Sequence, residues 1–92
     1  MKYRSRTEIT SMILDSASAG ATKTKIMYKA YLSYTQLKEY LSYMEQNGLL
    51  KYEEGVQLYK ITEKGRKLMR LYQEIGDMVA PTNDDSITKI MV

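Results

Sequence analysis

Cysteine and histidine are both absent from this 92-residue sequence, and its apolar runs are short. Without cysteine the chain has no disulfide framework and no thiolate metal site, which is typical of intracellular proteins. Without histidine it lacks the usual general base near neutral pH and the commonest metal ligand. No apolar run approaches the length of a membrane span or of a signal-peptide core. We therefore expect a soluble, cytoplasmic protein that is not attached to a membrane.

The motifs of catalysis are missing as well. The sequence shows no nucleophile–base pair, no phosphate-binding glycine loop and no cluster of metal ligands. Its adjacent acids, Glu53-Glu54 and Asp84-Asp85, are better interpreted as parts of a turn and a linker. We predict that the protein is not an enzyme and needs no cofactor or metal.

The positive charge is small but unevenly distributed. The formal net charge is +3, and residues 1–47 carry seven basic side chains against four acidic ones. The last twelve residues carry one base against two acids. This asymmetry favours an anionic partner for the first half, although mildly basic soluble domains are common. A chain of this length forms one small domain with one core.

Helical signals begin close to the N-terminus. Ser5 and Glu8 have the spacing of a capping box, in which each side chain satisfies a backbone N–H of the first turn. Ile9, Met12 and Ile13 follow at helical spacing and predict the buried stripe of a first helix, which ends near residues 19–20.

Two further helices are predicted to form a helix-turn-helix. A short helix over residues 23–30 begins after a threonine, either Thr22 or Thr24. A few residues later Ser33 and Gln36 form a second capping box, which starts the third helix. The apolar face of this third helix consists of Leu37, Tyr40, Leu41 and Met44.

A β-hairpin is predicted after the third helix. That helix ends at Asn47-Gly48, because glycine and asparagine tolerate the left-handed conformation of a helix C-terminus. Residues 50–53 and 57–61 then alternate apolar and polar side chains, with Glu54-Gly55 as a plausible tight turn between them.

A fourth helix closes the domain. Thr62 can cap it, with Glu63 in the first turn, and it cannot pass far beyond Ala80 because Pro81 lacks the required N–H. We predict an α+β, mostly α domain over residues 1–80, with the order α-α-α-β-β-α of a winged helix-turn-helix. Residues 81–92 are expected to be a flexible tail.

One segment resembles a known family. Residues 23–34, KTKIMYKAYLSY, are similar to the K-T-[KR]-I-M-Y-x-A-x-L-S-Y motif of the archaeal winged-helix family that includes the small basic 10a-type chromatin proteins. Residues 59–65, YKITEKG, resemble the same family's Y-x-[LTI]-T-x-K-G entry to its last helix. The resemblance covers roughly residues 6–79. It implies sequence-tolerant or regulatory DNA binding, a nucleoid-associated location, and dimerisation through the C-terminal helix as an antiparallel coiled coil. In those proteins this helix is much longer, whereas Pro81 ends it here.

The helix-turn-helix geometry indicates which residues would face DNA, because its second helix enters the major groove with its N-terminal residues near the base edges. On the third helix the outward residues are Tyr34, Thr35, Gln36, Lys38, Glu39, Ser42 and Tyr43. On the second helix Lys23, Lys25 and Lys29 are natural phosphate contacts. Arg4 and Arg6 of the N-terminal arm can add phosphate contacts or enter a minor groove.

Each of these residues also has an ordinary interpretation. The outward face of the third helix can equally be interpreted as plain solvated surface. Gln36 is a member of the capping box, and Tyr34 lies near the core edge. Glu39 is repelled by phosphates unless it accepts from a cytosine amine. The acidic tip Glu53-Glu54-Gly55 of the wing indicates that the wing stays out of the groove or faces a protein.

Most of the nine tyrosines are interpreted as core-edge residues, since a phenol can pack its ring while its hydroxyl stays wet. The tyrosines predicted to face the core are Tyr28, Tyr40, Tyr52, Tyr59 and Tyr72. The methionines are interpreted as adaptable core filling.

An apolar stripe on the fourth helix predicts a dimer. It consists of Leu68, Leu71, Tyr72, Ile75, Met78 and Val79, and its distal part would be left exposed in a monomer. The leading hypothesis is a homodimer that binds duplex DNA through the third helix, as a transcriptional regulator or chromatin-associated factor. The alternative is a winged-helix protein–protein interaction module without direct DNA binding.

Overall fold

The structure is a computed structural model, which describes residues 4–79. Its elements are α1 (Arg6–Ser16), α2 (Lys23–Ala30), α3 (Tyr34–Gln46), β1 (Leu50–Glu53), β2 (Leu58–Ile61) and α4 (Glu63–Val79). This order confirms the predicted winged helix-turn-helix, with α2 and α3 as the helix-turn-helix and the β1–β2 hairpin as the wing. The first three residues and the predicted tail 81–92 lie outside the described residues.

Both predicted capping boxes are formed. The Ser5 hydroxyl accepts from the Glu8 N–H at 3.0 Å, and the Glu8 carboxylate accepts from the Ser5 N–H at 2.9 Å. Ser33 and Gln36 form the same pair of bonds at 3.2 and 3.1 Å at the start of α3. Thr22, rather than Thr24, caps α2 by accepting from the Lys25 N–H at 3.1 Å. These bonds satisfy N–H groups that a helix start leaves without partners.

The end of α3 is joined tightly to the start of α4. Gly48 has a φ of +72°, and the N–H groups of Gly48 and Leu49 donate back to Glu45 and Met44, which is a Schellman arrangement. The Thr62 hydroxyl accepts from the Gly65 N–H at 3.0 Å, as predicted for the cap of α4, and donates to the Gly48 carbonyl at 2.6 Å. One threonine thus caps a helix and fixes it to the preceding turn.

The core is shared by all three helices of the N-terminal half and by the hairpin. Its largest fully buried side chains are Ile13, Leu14, Ile26, Leu37 and Met44. The predicted apolar stripe of α3 is confirmed, with Leu41 also buried and Tyr40 packed against the core edge. The opposite face of α3 is thereby held outward.

The wing differs from prediction at its turn. The strands pair antiparallel, with Leu50 opposite Ile61 and Tyr52 opposite Tyr59, but the connection contains four residues and β2 begins at Leu58. Gln57 has a φ of +54°, which is incompatible with an extended strand. Ala21, in the α1–α2 loop, exchanges both backbone hydrogen bonds with Tyr59 at 2.9 and 2.8 Å and extends the wing by a bridge.

Two tyrosine predictions are wrong. Tyr28 is 70% exposed, because it lies about 200° around α2 from the buried Ile26. Tyr52 is 37% exposed; its strand extends beyond the core, and its ring packs on Tyr59 with centroids 4.7 Å apart. Tyr59 is buried, and Tyr40 and Tyr72 pack against the core as predicted.

Candidate nucleic-acid interface

The lysines of α2 form the basic part of the candidate surface. Lys23, Lys25 and Lys29 are all exposed, and the helix contains no acidic residue. Across residues 4–79 the ion pair found within 4.0 Å joins Lys60 to Glu53 on the wing, at 3.1 Å. The α2 ammonium groups are therefore not neutralised by a carboxylate of the described chain.

Tyr34 connects α2 to α3 at this surface. Its ring centroid lies 6.0 Å from the Lys23 Nζ and 5.4 Å from the Lys38 Nζ, both within range of a cation–π interaction. Tyr34 itself is more than half exposed, so it does not have the core-edge role that was the alternative. The predicted residues from the two helices thus lie on one continuous surface.

Arg6 contributes a second basic position. Its guanidinium carbon lies 4.9 Å from the ring centroid of Tyr43 and 5.5 Å from that of Tyr40. Both tyrosines belong to α3, so the first turn of α1 places this cation against α3. Arg6 and Tyr43 remain exposed, which leaves the guanidinium edges accessible to an anion.

Arg4, in contrast, is engaged by the protein itself. Its guanidinium donates to the carbonyl oxygens of Ala30 and, at 2.8 Å, of Tyr31, and one nitrogen also contacts the Met12 sulfur at 3.3 Å. These carbonyls lie at the C-terminal end of α2, where a positive charge is favourable. Arg4 is therefore hydrogen-bonded to the helix-turn-helix and does not lie in a free N-terminal arm.

The outward face of α3 is polar and accessible. Thr35, Gln36, Lys38, Glu39 and Ser42 are exposed, as the helical periodicity predicts. The Gln36 carbonyl oxygen is occupied by its capping box, which leaves its amide NH₂ as the group free to contact a ligand. The Ser42 hydroxyl accepts from the Gln46 amide at 3.4 Å.

The predicted dimerisation stripe divides into two groups. Leu68 and Tyr72 pack against the domain's own core, whereas Leu71 and Ile75 are about half exposed and Met78 is 81% exposed. The side chain of Val79 lies outside the described residues. Only the second group is available to a partner.

An open groove of about 540 Å³ runs between α1 and the distal half of α4. Its apolar lining comes chiefly from Met12, Tyr72 and Ile75. Gly76 of α4 and Thr7, Glu8 and Ser11 of α1 complete the lining. The groove adjoins the exposed group of the stripe, so the two form one apolar surface at the distal end of the domain.

The resolved pKa shifts concern tyrosines of the core and not the candidate interface. Burial raises the pKa of Tyr59, with a smaller contribution from Glu45, and burial likewise raises the pKa of Tyr72. No group of metal-ligating side chains occurs among residues 4–79, and none of the helices there is long and apolar enough to cross a bilayer.

Sequence reasoning missed two exposed aromatic residues beside the lysines, Tyr28 and Tyr31. The periodicity of α2 contains the signal for Tyr28, since the buried Ile26 and Ala30 place residue 28 on the opposite face. Tyr31 is in the left-handed conformation, with φ 53° and ψ 52°, at the C-terminal cap of α2. Its outward direction follows from that backbone conformation, which the sequence did not predict.

The comparison with protein families agrees with the winged helix-turn-helix architecture described above. A family model described as winged helix-turn-helix matches residues 3–80. No curated protein matches the chain.

Several solved structures share the fold. Sso10a-2, a DNA-binding protein from Sulfolobus solfataricus, is 24% identical, with a TM-score of 0.73 over 97% of this chain and 98% of that one. A MarR family protein from Bacillus stearothermophilus has a TM-score of 0.60 at 16% identity, covering 98% of this chain and 69% of that one. ZitR from Lactococcus lactis, solved in complex with DNA, has a TM-score of 0.54 at 19% identity, and the match covers 99% of this chain and 73% of that one. These structures therefore share the winged helix-turn-helix fold with this chain.

Proposed function

The chain belongs to the winged helix-turn-helix family, and we propose that it binds duplex DNA as a homodimeric transcriptional regulator or chromatin-associated factor. Among its structural neighbours, Sso10a-2 is a DNA-binding protein and ZitR was solved in complex with DNA, which supports this proposal. The binding step involves no catalysis. The protein contributes a surface whose shape and charge match those of duplex DNA.

One observation carries the proposal. Lys23 of α2 and Lys38 of α3 lie beside the same Tyr34 ring, at 6.0 and 5.4 Å from its centroid. Two helices therefore present their cations together, beside the N-terminal turn of α3, where a helix-turn-helix contacts DNA. An ordinary solvated helix face does not require two cations from different helices beside one ring, or three lysines on the adjoining helix.

In the proposed complex α3 lies in the major groove. Its N-terminal residues Thr35 and Gln36 face base edges or the thymine methyl group, with the Gln36 amide as donor. Lys38 reaches guanine or a phosphate, and Ser42 and Tyr43 contact the groove wall. Sequence preference, if the protein has one, arises from these residues.

The phosphate contacts come mainly from outside α3. The exposed lysines of α2 face the backbone beside the groove, because in this motif the first helix crosses it. Arg6, held against Tyr43, adds a contact next to α3. The acidic wing tip at Glu53 and Glu54 is kept away from the phosphates by repulsion.

The exposed apolar surface of α4 supports the dimer. Leu71, Ile75 and Met78 project from the distal half of a helix whose proximal half is already packed on its own domain. Pairing these helices about a two-fold axis covers the apolar side chains and the adjoining groove in both protomers. Lys67 and Arg70 remain exposed and keep the pair soluble.

The decisive experiment measures affinity for a mixed-sequence duplex across a salt series. The test variant is Lys23→Ala/Lys25→Ala/Lys29→Ala, and the control is Lys51→Ala/Lys67→Ala/Arg70→Ala, which removes the same number of charges elsewhere. We expect the test variant to lower the slope of log K against log salt by about 3 per bound protomer, or about 6 for the proposed dimer, since each lost phosphate contact removes about 1. The control should change the slope by less than about 1.

Two results contradict the proposal. Equal slopes in the two variants would mean that binding responds to net charge and not to the α2 surface. Absence of duplex binding at low salt, together with capture of a protein through the acidic wing or α4, would favour the interaction-module alternative.

Sedimentation equilibrium of Ile75→Lys tests the dimer separately: the wild type should be dimeric and the variant monomeric.

A further inference from the structure

Three exposed tyrosines follow one another at three-residue intervals across the helix-turn-helix corner. Tyr28 at the end of α2, Tyr31 in the turn and Tyr34 at the start of α3 are 70%, 77% and 56% exposed. Aromatic rings normally bury most of their area, and a run of exposed rings indicates a binding surface. We call these three residues the tyrosine strip.

Tyr31 occupies its position at a conformational cost. Its φ of 53° and ψ of 52° are left-handed values, for which glycine is the usual residue at a helix end. A bulky residue is disfavoured there relative to glycine, because its Cβ crowds the backbone. Arg4 donates to the Tyr31 carbonyl at 2.8 Å and so fastens the backbone that carries the exposed ring. A strained, exposed aromatic residue is a reason to look for a ligand.

Cations flank the strip along its length. The Arg4 guanidinium carbon lies 5.9 Å from the Tyr31 ring centroid, and Lys38 and Lys23 lie beside Tyr34. Lys25 and Lys29 are exposed on the helix that carries Tyr28. The surface therefore alternates aromatic rings with positive charges, and the ligand that it complements alternates flat rings with negative charges.

Unpaired nucleotides have this chemistry. Their bases offer free ring faces for stacking, and their phosphates match the ammonium groups, which is how single strands are bound without sequence readout. Duplex DNA stacks its bases on each other and offers tyrosine only sugars and phosphates. The exposed area of these three tyrosines is thus in excess of what duplex binding uses.

We propose that the tyrosine strip, with Lys25, Lys29 and Lys38, binds a single-stranded nucleic-acid segment of about three nucleotides, one base for each ring. This site goes beyond the proposed duplex contact, and Tyr28 and Tyr31 are its distinguishing residues. Tyr34 and the lysines are shared with the duplex surface, so the two ligands compete.

The experiment measures fluorescence anisotropy of labelled dT15 and rU15 with the full chain, alongside the mixed-sequence duplex. The test variant is Tyr28→Ala/Tyr31→Ala, and the matched control is Tyr28→Phe/Tyr31→Phe, which keeps both rings. We expect the alanine variant to bind dT15 at least about tenfold more weakly, because each stacked base contributes about 1 to 3 kcal/mol. The phenylalanine variant should stay within about threefold of the wild type, and duplex affinity should fall by less than about threefold in both variants.

Each alternative result overturns the proposal. If wild-type protein fails to bind dT15 and rU15 at low salt, the strip serves another ligand, such as a protein. If the phenylalanine variant loses as much as the alanine variant, hydroxyl groups and not stacking are responsible. If duplex and single-strand affinities fall together, the tyrosines belong to the duplex site. Duplex binding by the wild type, tested above with the lysine variants, separates failure of this site from failure of the proposed function.

Discussion

Gly65 lies in the first turn of α4, where the helix passes directly over the backbone that leads into β1. A Cβ atom added there would lie 2.3 Å from the Leu49 carbonyl oxygen and 2.8 Å from Cγ1 of Ile61. The carbonyl cannot easily retreat, because it accepts from the Thr62 N–H at 3.1 Å and lies 3.2 Å from the Thr62 hydroxyl, whose one proton it shares with the Gly48 carbonyl. Gly65→Ala therefore forces either the helix or this hydrogen-bonded turn to move.

The expected loss follows from three contributions. Overpacking of a tight contact costs about 1 to 3 kcal/mol. Disturbing a hydrogen bond of the Thr62 cap adds about 1 kcal/mol. Alanine is better than glycine in a helix by about 1 kcal/mol, which offsets part of the cost. We expect a net destabilisation of about 2 kcal/mol, or roughly 8 to 16 °C in melting temperature for a domain of this size.

Thermal and urea unfolding followed by far-UV circular dichroism measure this effect. Gly55→Ala on the wing is the control, because a Cβ there meets nothing within 4 Å and the residue does not have a positive φ. Its melting temperature should stay within about 3 °C of the wild type, the change expected of a surface substitution. A Gly65→Ala protein as stable as the control would refute the close approach of α4 to Leu49.

Two further changes test other contacts. Arg4→Ala should lower stability by about 1 to 2 kcal/mol in urea unfolding, since it removes charge-assisted bonds to the C-terminal carbonyls of α2. It should leave the salt slope of duplex binding unchanged; a slope reduced by about 1 with full stability would instead identify Arg4 as a phosphate contact. Burial raises the pKa of Tyr59 above its ordinary value of 10.0, so the folded protein holds the phenol proton more tightly than the unfolded chain does. The stability that depends on the neutral phenol is fully present below that ordinary value and is lost as the pH rises through the folded-state pKa. Tyr59→Phe should therefore lose less stability than the wild type between about pH 9 and pH 11 in urea unfolding, and an equal decline would contradict the burial of this phenol.

Local signals account for the parts of the fold that could be predicted. The capping boxes at Ser5 and Ser33 join atoms three residues apart, so a short stretch of sequence contains the whole interaction. The apolar stripe of α3 depends only on helical periodicity. The element order followed from these signals, and the order was sufficient to recognise the winged helix-turn-helix.

Long-range contacts account for what could not be predicted. Arg4 meets the carbonyls of α2 from 26 and 27 residues away, and Ala21 pairs with Tyr59 across the domain. Gln57 adopts a left-handed backbone that lengthens the wing turn, although nothing in its side chain requires it. None of these partners is visible from neighbouring sequence. The exposure of the α2 lysines and of Tyr28 follows from the apolar face of α2, whereas that of Tyr31 in the tyrosine strip depends on a left-handed backbone that local sequence does not indicate.

The charge distribution also explains why a dimer matters for the proposed function. The wing tip is acidic, and Lys60 at its base is paired with Glu53 at 3.1 Å. In the proposed complex the phosphate contacts of one protomer come from the lysines of α2, from Arg6 and from Lys38 of α3, a number that gives weak, salt-sensitive binding. Joining two protomers through α4 makes the second contact intramolecular, so that affinity rises by about 10² to 10⁴ without any new contact per protomer. Under the proposed function, the apolar distal half of α4 would therefore raise the affinity of a modest basic surface for DNA by joining two copies of it.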